Sequence, residues 1–172
     1  MATLLLVRHG ETDWNADGRL QGHTDRPLND HGRHQAAELA ERLAREGAVA
    51  VYASDLARAK ETAEIVAARL RLPVVTDPDL RERNWGSWEG LTPAERDRIV
   101  FEGEPPEAHR ARVVGAIERI AERHPGQRVI VVTHGGSMRR VQAAVTGIAQ
   151  PVVANCESWA CVHENGVFRA ID

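Results

Sequence analysis

Lysine is all but missing from this chain. Lys60 is the only one in 172 residues, so the cationic side chains are almost all arginine. The formal net charge is −3, which excludes a broad basic face for nucleic acid or for an anionic membrane. Any cationic site has to be a local cluster. Cysteine is scarce too: Cys156 and Cys161 are the only two. They lie five apart in what reads as one strand, hence on opposite faces, so no disulfide is expected. Two small core residues in a reducing cytosol is the reading that follows. Long apolar runs are absent. The first run stops at Val7 with no basic region before it, too short for a signal peptide or a membrane span. A cytoplasmic protein with no membrane partner is expected. There is no internal repeat, low-complexity tract or linker, and 172 residues suffice for one domain with one core.

What is present is a rhythm of short apolar runs and amphipathic stretches. "TLLLVRH" (3–9), "VAVYAS" (49–54), "PVVT" (73–76) and "QRVIVVTH" (127–134) read as strands. The first and last are apolar throughout, as strands buried on both faces are. Helices are predicted over 31–46, capped by Asn29 and stopped by Gly47, and over 56–71, 107–123 and 136–147. Residues 10–30 and 77–105 read as loops. "SWACVH" and "VFRAI", joined by Asn165-Gly166, read as a C-terminal antiparallel hairpin. The fold class is therefore α/β: a mainly parallel sheet with helices on both faces and one domain over 1–172.

Such sheets bind ligands beyond the carboxyl ends of their strands. Arg8 and His9 end the first strand. Arg58 lies just past the second, in the first turn of a helix. His134 ends "VIVVTH" and is followed by Gly135, Gly136 and a helix start. Three junctions thus deliver Arg, His, Arg and His to one edge. Arginine forks and helix N-termini make an anion site. Two histidines among them suit phosphoryl transfer, because nearby guanidinium charge keeps an imidazole neutral and nucleophilic. A general acid is then needed for the leaving alkoxide. Spacing leaves Glu11, Glu82 and Glu89 as candidates.

At these residues the chain resembles the histidine phosphatase superfamily, which includes the cofactor-dependent phosphoglycerate mutases. "LVRHGETDWNADGRLQG" resembles its opening motif and "SDLARAKETA" its phosphate-binding arginine motif. "LRERNWGSWEG" is similar to the segment that carries the acid, and "VTHGGSMR" to the second-histidine motif. The resemblance implies that His9 becomes phosphohistidine, with Arg8, Arg58 and His134 completing the phosphate pocket. It implies Glu82 as proton donor and later base, and Glu11 behind the site. Asn15, Gln21, Gly22 and Gly135 would contact substrate. It also implies no metal and no bound cofactor. His31 and His34 read as solvated polar residues, and His23, His109, His124 and His163 as surface residues. One or more of Trp14, Trp85 and Trp88 is expected to line the pocket.

The expected partner is a small phosphorylated molecule. Only 51 residues separate Glu82 from His134, and the resemblance implies a longer insertion in the mutases, where it covers the site. A short lid-like insertion at about 83–106 therefore favours the small phosphatases. "ERNWG" leans the other way, since it resembles the mutases' Glu-Arg-x-Tyr-Gly. Proline after Glu104 departs from the phosphatases' Gly-Gly-Glu-Ser and puts a substrate role for 103–107 in doubt. A phospho-ligand binding module without turnover is the reading from another class. The hairpin's exposed edge could support a homodimer.

Overall fold

The computed structural model describes residues 1–171. β1 (Ala2–Arg8) lies inside a six-stranded sheet. On one side it pairs in parallel with β4 (Arg128–Thr133), which pairs with β2 (Ala50–Ala53) and, beyond it, β3 (Val74–Thr76). On the other side it pairs antiparallel with β5 (Ser158–Glu164), followed by β6 (Val167–Ala170). The mainly parallel sheet and the antiparallel hairpin are as the sequence implies.

Alternation along β1 explains why its whole run is apolar. Leu4 and Leu6 face α5 (Pro106–Arg123) and α6 (Gly135–Thr146), against Val113, Ile117, Ile120 and Met138. Leu5 and Val7 face α2 (Asp30–Leu43) and α3 (Ala57–Leu70), against Ala36, Leu39, Ala59 and Val66. Burying each such side chain is worth about 1.5–3 kcal/mol, so both faces hold the strand in register. That register sets Arg8 opposite Thr133. The next residues, His9 and His134, are thereby neighbours at the strand ends.

Several expectations need correction. The loop over 10–30 contains α1 (Asp13–Ala16), held by a Thr12–Asn15 capping box. The segment 77–105 contains α4 (Pro93–Arg96) and single 3-10 turns at Pro78–Leu80 and Gly86–Trp88. These pieces are too short to show a helical period. α2 ends at Leu43, short of Gly47. α3 ends on Arg71 in the left-handed conformation (φ 57°), a place usually taken by glycine. Cys156 is not in a strand. It precedes β5 with φ 56°, while Cys161 lies inside β5. Both thiols are free and buried, and burial pushes each up to about 12. His163 and His109 are buried, and His23 and His124 half-buried. No helix among the described residues is long and apolar enough to cross a membrane.

Candidate active site

His9 leaves β1 with its amide bonded to Thr133 O across to β4 (3.0 Å). The next amide, Gly10 N, donates to Thr62 Oγ1 (3.0 Å), and Thr62 Oγ1 donates to Arg58 O (2.7 Å). One hydroxyl thus ties the strand end to the first turns of α3. The His9 ring donates from Nδ1 to Gly10 O (2.7 Å). A carbonyl can only accept, so Nδ1 carries the proton and Nε2 holds a free lone pair. Burial, then the charges of Arg58 and Arg8, hold the imidazole well below its usual pKa. It is neutral at pH 7.

His134 is fully buried, with its ring centroid 5.2 Å from that of His9, edge to face. Its Nε2 shares a 2.8 Å hydrogen bond with Ser54 Oγ. Ser54 Oγ already accepts from Leu56 N (3.3 Å) and has no other acceptor among the described residues. Its proton therefore goes to His134 Nε2, which leaves Nδ1–H as the donor. That Nδ1 is buried with no protein partner. Burial and Arg58, then His9, keep this ring neutral as well.

Arg58 is 1% exposed. Its terminal nitrogens donate to Gly22 O (2.7 Å) and Thr24 O (3.2 Å), and its Nε is unpartnered. Burial pushes it down to about 10, so it stays charged at neutral pH. Arg8 donates from Nη1 to Val153 O (2.8 Å), and its Nε is also buried without a partner. Three buried donors without acceptors, from β1, α3 and the start of α6, are unusual in one place. They suit an anion.

Of the three candidate acids, Glu82 lines the cavity and the other two do not. Glu89 accepts from His23 N, Thr24 N, Thr24 Oγ1 and Trp85 N, so it stitches two loops together. Glu11 accepts from Asn29 Nδ2 and does not reach the cavity. Glu82 lines the cavity, held by Gly136 N and Arg83 N at 2.8 Å each. Gly136 permits this approach, and Gly135 permits that of Val152 and Arg8. A Cβ on Gly136 would lie 2.3 Å from Glu82 Oε1, and one on Gly135 would lie 2.6 Å from Val152 Cγ1 and 3.2 Å from Arg8 Nε.

The cavity is about 350 Å³ and brings together Arg8, His9, Asn15, Gln21, Gly22, Arg58, Glu82 and Gly135. His134 is not among these lining residues but is buried beside them, edge to face with the His9 ring and with Nδ1 unpartnered. Asn15 uses Oδ1 in its capping box and has an unengaged Nδ2. Gln21 accepts from Thr12 Oγ1 (2.9 Å), and Gly22, at φ 56°, supplies a carbonyl to Arg58, so both shape the wall. Of the tryptophans, Trp85 lines the cavity, Trp88 stacks on it at 6.2 Å, and Trp14 packs against Gly90. Among the described residues no cluster of three or more His, Cys, Asp or Glu side chains is placed to hold a metal ion.

Some contributors had no signal in the sequence. Ser54 sits inside the quoted "SDLARA" stretch, but its partner is 80 residues away. His109 packs under Glu82, with Nε2 3.0 Å from Ser137 Oγ and 3.7 Å from Glu82 Oε1. It lies four residues before Val113 on the inward face of α5, not at the surface as its lack of a motif suggested. Arg112 clamps the segment that carries Glu82: it pairs with Glu104 at 2.9 Å and donates to the carbonyls of Asp79, Arg81 and Glu82. Glu104 is thereby a structural partner, consistent with the doubt over a substrate role there.

A sequence profile described as histidine phosphatase superfamily (branch 1) matches residues 4–158. Phosphoglycerate mutase-like protein 4 of Arabidopsis thaliana is 44% identical, over 99% of this chain and 80% of its own. Metal-independent phosphoserine phosphatase, from the same organism, is 43% identical, over 83% and 68%. The solved structure of YhfR from Bacillus stearothermophilus superposes with a TM-score of 0.92 at 33% identity, covering 99% and 95%.

Proposed function

The chain belongs to branch 1 of the histidine phosphatase superfamily, and on that footing we propose that it hydrolyses small phosphomonoesters through a phosphohistidine on His9. The observation that carries this reading is the His9 tautomer. Its proton is fixed on Nδ1 by Gly10 O, which leaves a neutral Nε2 beside Arg8, Arg58 and Glu82. Nε2 attacks phosphorus in line and forms the P–N bond as the ester P–O bond breaks. Glu82 gives its proton to the departing oxygen. Arg8, Arg58 and the Nδ1–H of His134 stabilise the phosphoryl oxygens, where charge sits in the transition state. Water then attacks phosphorus, Glu82 takes its proton, the P–N bond breaks, and phosphate leaves. These steps call on no metal ion, in keeping with the name of the phosphoserine phosphatase relative. A cytoplasmic location fits small phosphorylated metabolites as substrates.

Transfer to a second acceptor, as in a mutase, is the alternative that the other Arabidopsis relative's name raises. A mutase must keep its phosphoenzyme dry. The insertion here is short. Arg83, the residue that resembles a mutase substrate arginine, donates to Glu104 O (2.7 Å) and lies over Trp85 (4.5 Å) and Phe101 (4.7 Å). Those contacts pack the insertion on itself and favour hydrolysis. The test is turnover of p-nitrophenyl phosphate between pH 5 and 8. Stoichiometric phosphate release that His9→Ala abolishes supports a phosphatase. Slow release together with bisphosphate-primed transfer between phosphoglycerates favours the mutase. No turnover at all favours a binding module.

A further inference from the structure

Glu82 has room to turn. It borders the phosphoryl cavity and also a smaller one of about 120 Å³, which His109 lines from α5. Packing therefore does not aim the carboxyl, and its hydrogen bonds must. The bond from Arg83 N comes from the adjoining residue and travels with it. The bond from Gly136 N comes from the first turn of α6. Among the described residues no arginine forms an ion pair with this carboxyl, and His109 Nε2, 3.7 Å from Oε1, is the basic nitrogen beside it. The anchors from outside the segment are thus Gly136 N and His109.

His109 stands behind both anchors. Ser137, the residue after Gly136, is completely buried, and its Oγ lies 3.0 Å from Arg81 O and 3.0 Å from His109 Nε2. A carbonyl only accepts, so the hydroxyl proton goes to Arg81 O and the hydroxyl oxygen accepts from Nε2–H. The tautomer follows: the proton is on Nε2, which faces a hydroxyl oxygen and a carboxyl oxygen. The opposite tautomer would set a lone pair against two oxygens. One N–H thereby ties the start of α6, and with it Gly136 N, to the residue before Glu82. The same N–H lays its dipole beside the carboxyl.

Stability does not account for a histidine at this place. The ring is 1% exposed, and its Nδ1 is buried with no protein partner, a cost that an apolar side chain would not carry. Nor is the ring a proton source. Burial lowers its pKa against the pull of Glu82 and Glu104, with Arg112 and Arg140 adding to the fall, so it is neutral at pH 7. A neutral ring that gave up Nε2–H would become an imidazolate. We propose that His109 is a positioning residue for the proton donor: its Nε2–H, bonded to Ser137 and set beside the carboxyl, keeps Glu82 aimed at the leaving oxygen. The proposal rests on Glu82 acting there.

The test is the ratio of kcat/KM on p-nitrophenyl phosphate to that on glycerol 3-phosphate. Taken within one preparation, it cancels any loss of folded enzyme. Nitrophenolate leaves with little help, whereas the alkoxide needs a proton. His109→Leu should raise the ratio about tenfold, the worth of one hydrogen bond to a charged group, with KM for the aryl ester unchanged. His109→Gln, whose amide can stand in for Nε2–H, should stay within about threefold of the wild-type ratio. In a Glu82→Gln background, His109→Leu should move the ratio no further, because a residue that acts through the carboxyl then has nothing to act on. Three results overturn the proposal and leave Glu82 as the acid: an unmoved ratio in His109→Leu, a His109→Gln ratio as high as that of His109→Leu, or a full shift with Glu82 already replaced. If Glu82→Gln itself leaves the ratio unmoved, the acid's role falls and its positioning with it. If neither ester turns over, the phosphatase reading falls.

Discussion

The roles of single residues here follow from which nitrogen carries a proton and which oxygen is already engaged. His9 and His134 are both held neutral by burial and the charge of Arg58, and their tautomers are set by Gly10 O on Nδ1 of the one and Ser54 on Nε2 of the other. An imidazole whose pKa lies well below 6.5 stays nucleophilic when pH falls through 6.5. kcat/KM, corrected for the ester's own ionisation, should therefore stay level from pH 7.5 down to about 6. An acid limb centred near 6.5 would mean that His9 titrates like a free imidazole. The same shift has a cost in stability. Unfolded histidine takes up a proton near 6.5, whereas folded His9 and His134 do so only far lower. Below 6.5 the unfolded chain binds more protons, so stability falls with pH until the folded values are reached. The urea midpoint should be lower at pH 5.5 than at 7.5, and an unchanged midpoint would count against two buried neutral rings. For Glu82→Gln, losing proton donation should cost about 10²–10⁴-fold in kcat/KM on an alkyl phosphate. The loss should be smaller on p-nitrophenyl phosphate, whose leaving group needs little help. Equal losses on the two esters would take the acid's role from Glu82. The arginine, histidine and glutamate types were legible because their chemistry is specific. Ser54 and His109 were not, since a serine or histidine gains its role only from partners far along the chain.

Secondary-structure elements meet at this site through close backbone approach. Gly136 lets Glu82 bond the N-terminus of α6, and Gly10 lets the end of β1 pass against α2. The two glycines should respond differently to alanine. At Gly136 the new methyl meets the end of a flexible carboxylate side chain at 2.3 Å. Glu82 moves, so kcat should drop at least tenfold while the melting temperature holds. At Gly10 the methyl meets the backbone oxygen of Gly32 at 2.5 Å, with no side chain to give way. Gly10→Ala should cost about 1–3 kcal/mol of stability, read by urea unfolding. An unchanged Gly136→Ala enzyme, or a fully stable Gly10→Ala protein, would show that these contacts relax more easily than the geometry indicates. The long elements were legible because burial on both faces of β1 and β4, and on one face of α2, α3 and α5, leaves a clear period. α1, α4 and the 3-10 turns span three or four residues each and carry no period to read. Their stability comes from caps and loop contacts.

Across the whole molecule, Arg112 makes the most contacts of any side chain between the Glu82 segment and the helical layer. Arg112, on α5, reaches Glu104 and three carbonyls between Asp79 and Glu82. The pair is mostly shielded, with side-chain exposures of 20% and 16%. Arg112→Met leaves Glu104 uncompensated and should cost about 3 kcal/mol. It should also lower kcat more than it raises KM, because Glu82 loses its support and the phosphate pocket does not. A loss of stability below about 0.5 kcal/mol would make the clamp incidental. The mainly parallel character of the sheet was legible at this scale from strand–helix alternation, and with it the edge where the candidate site lies, whereas the strand order was not. The walls were only half legible. Besides loops 10–30 and 83–106, the segment after α6 contributes Val152 to the main cavity and Gln150 to the smaller one. Nothing in their residue types marks them for that place.

Convergence of His9, Arg58 and Glu82 on a single tetrahedral phosphoryl group is the claim on which the rest depends. Rapid acid quench of the enzyme with a phosphorus-labelled aryl phosphate tests it most directly. Label should appear on the protein within the first turnover, be lost in acid, persist in alkali, and be absent from His9→Ala. Label that withstands acid, or that His9→Ala still acquires, would contradict a phosphohistidine at residue 9.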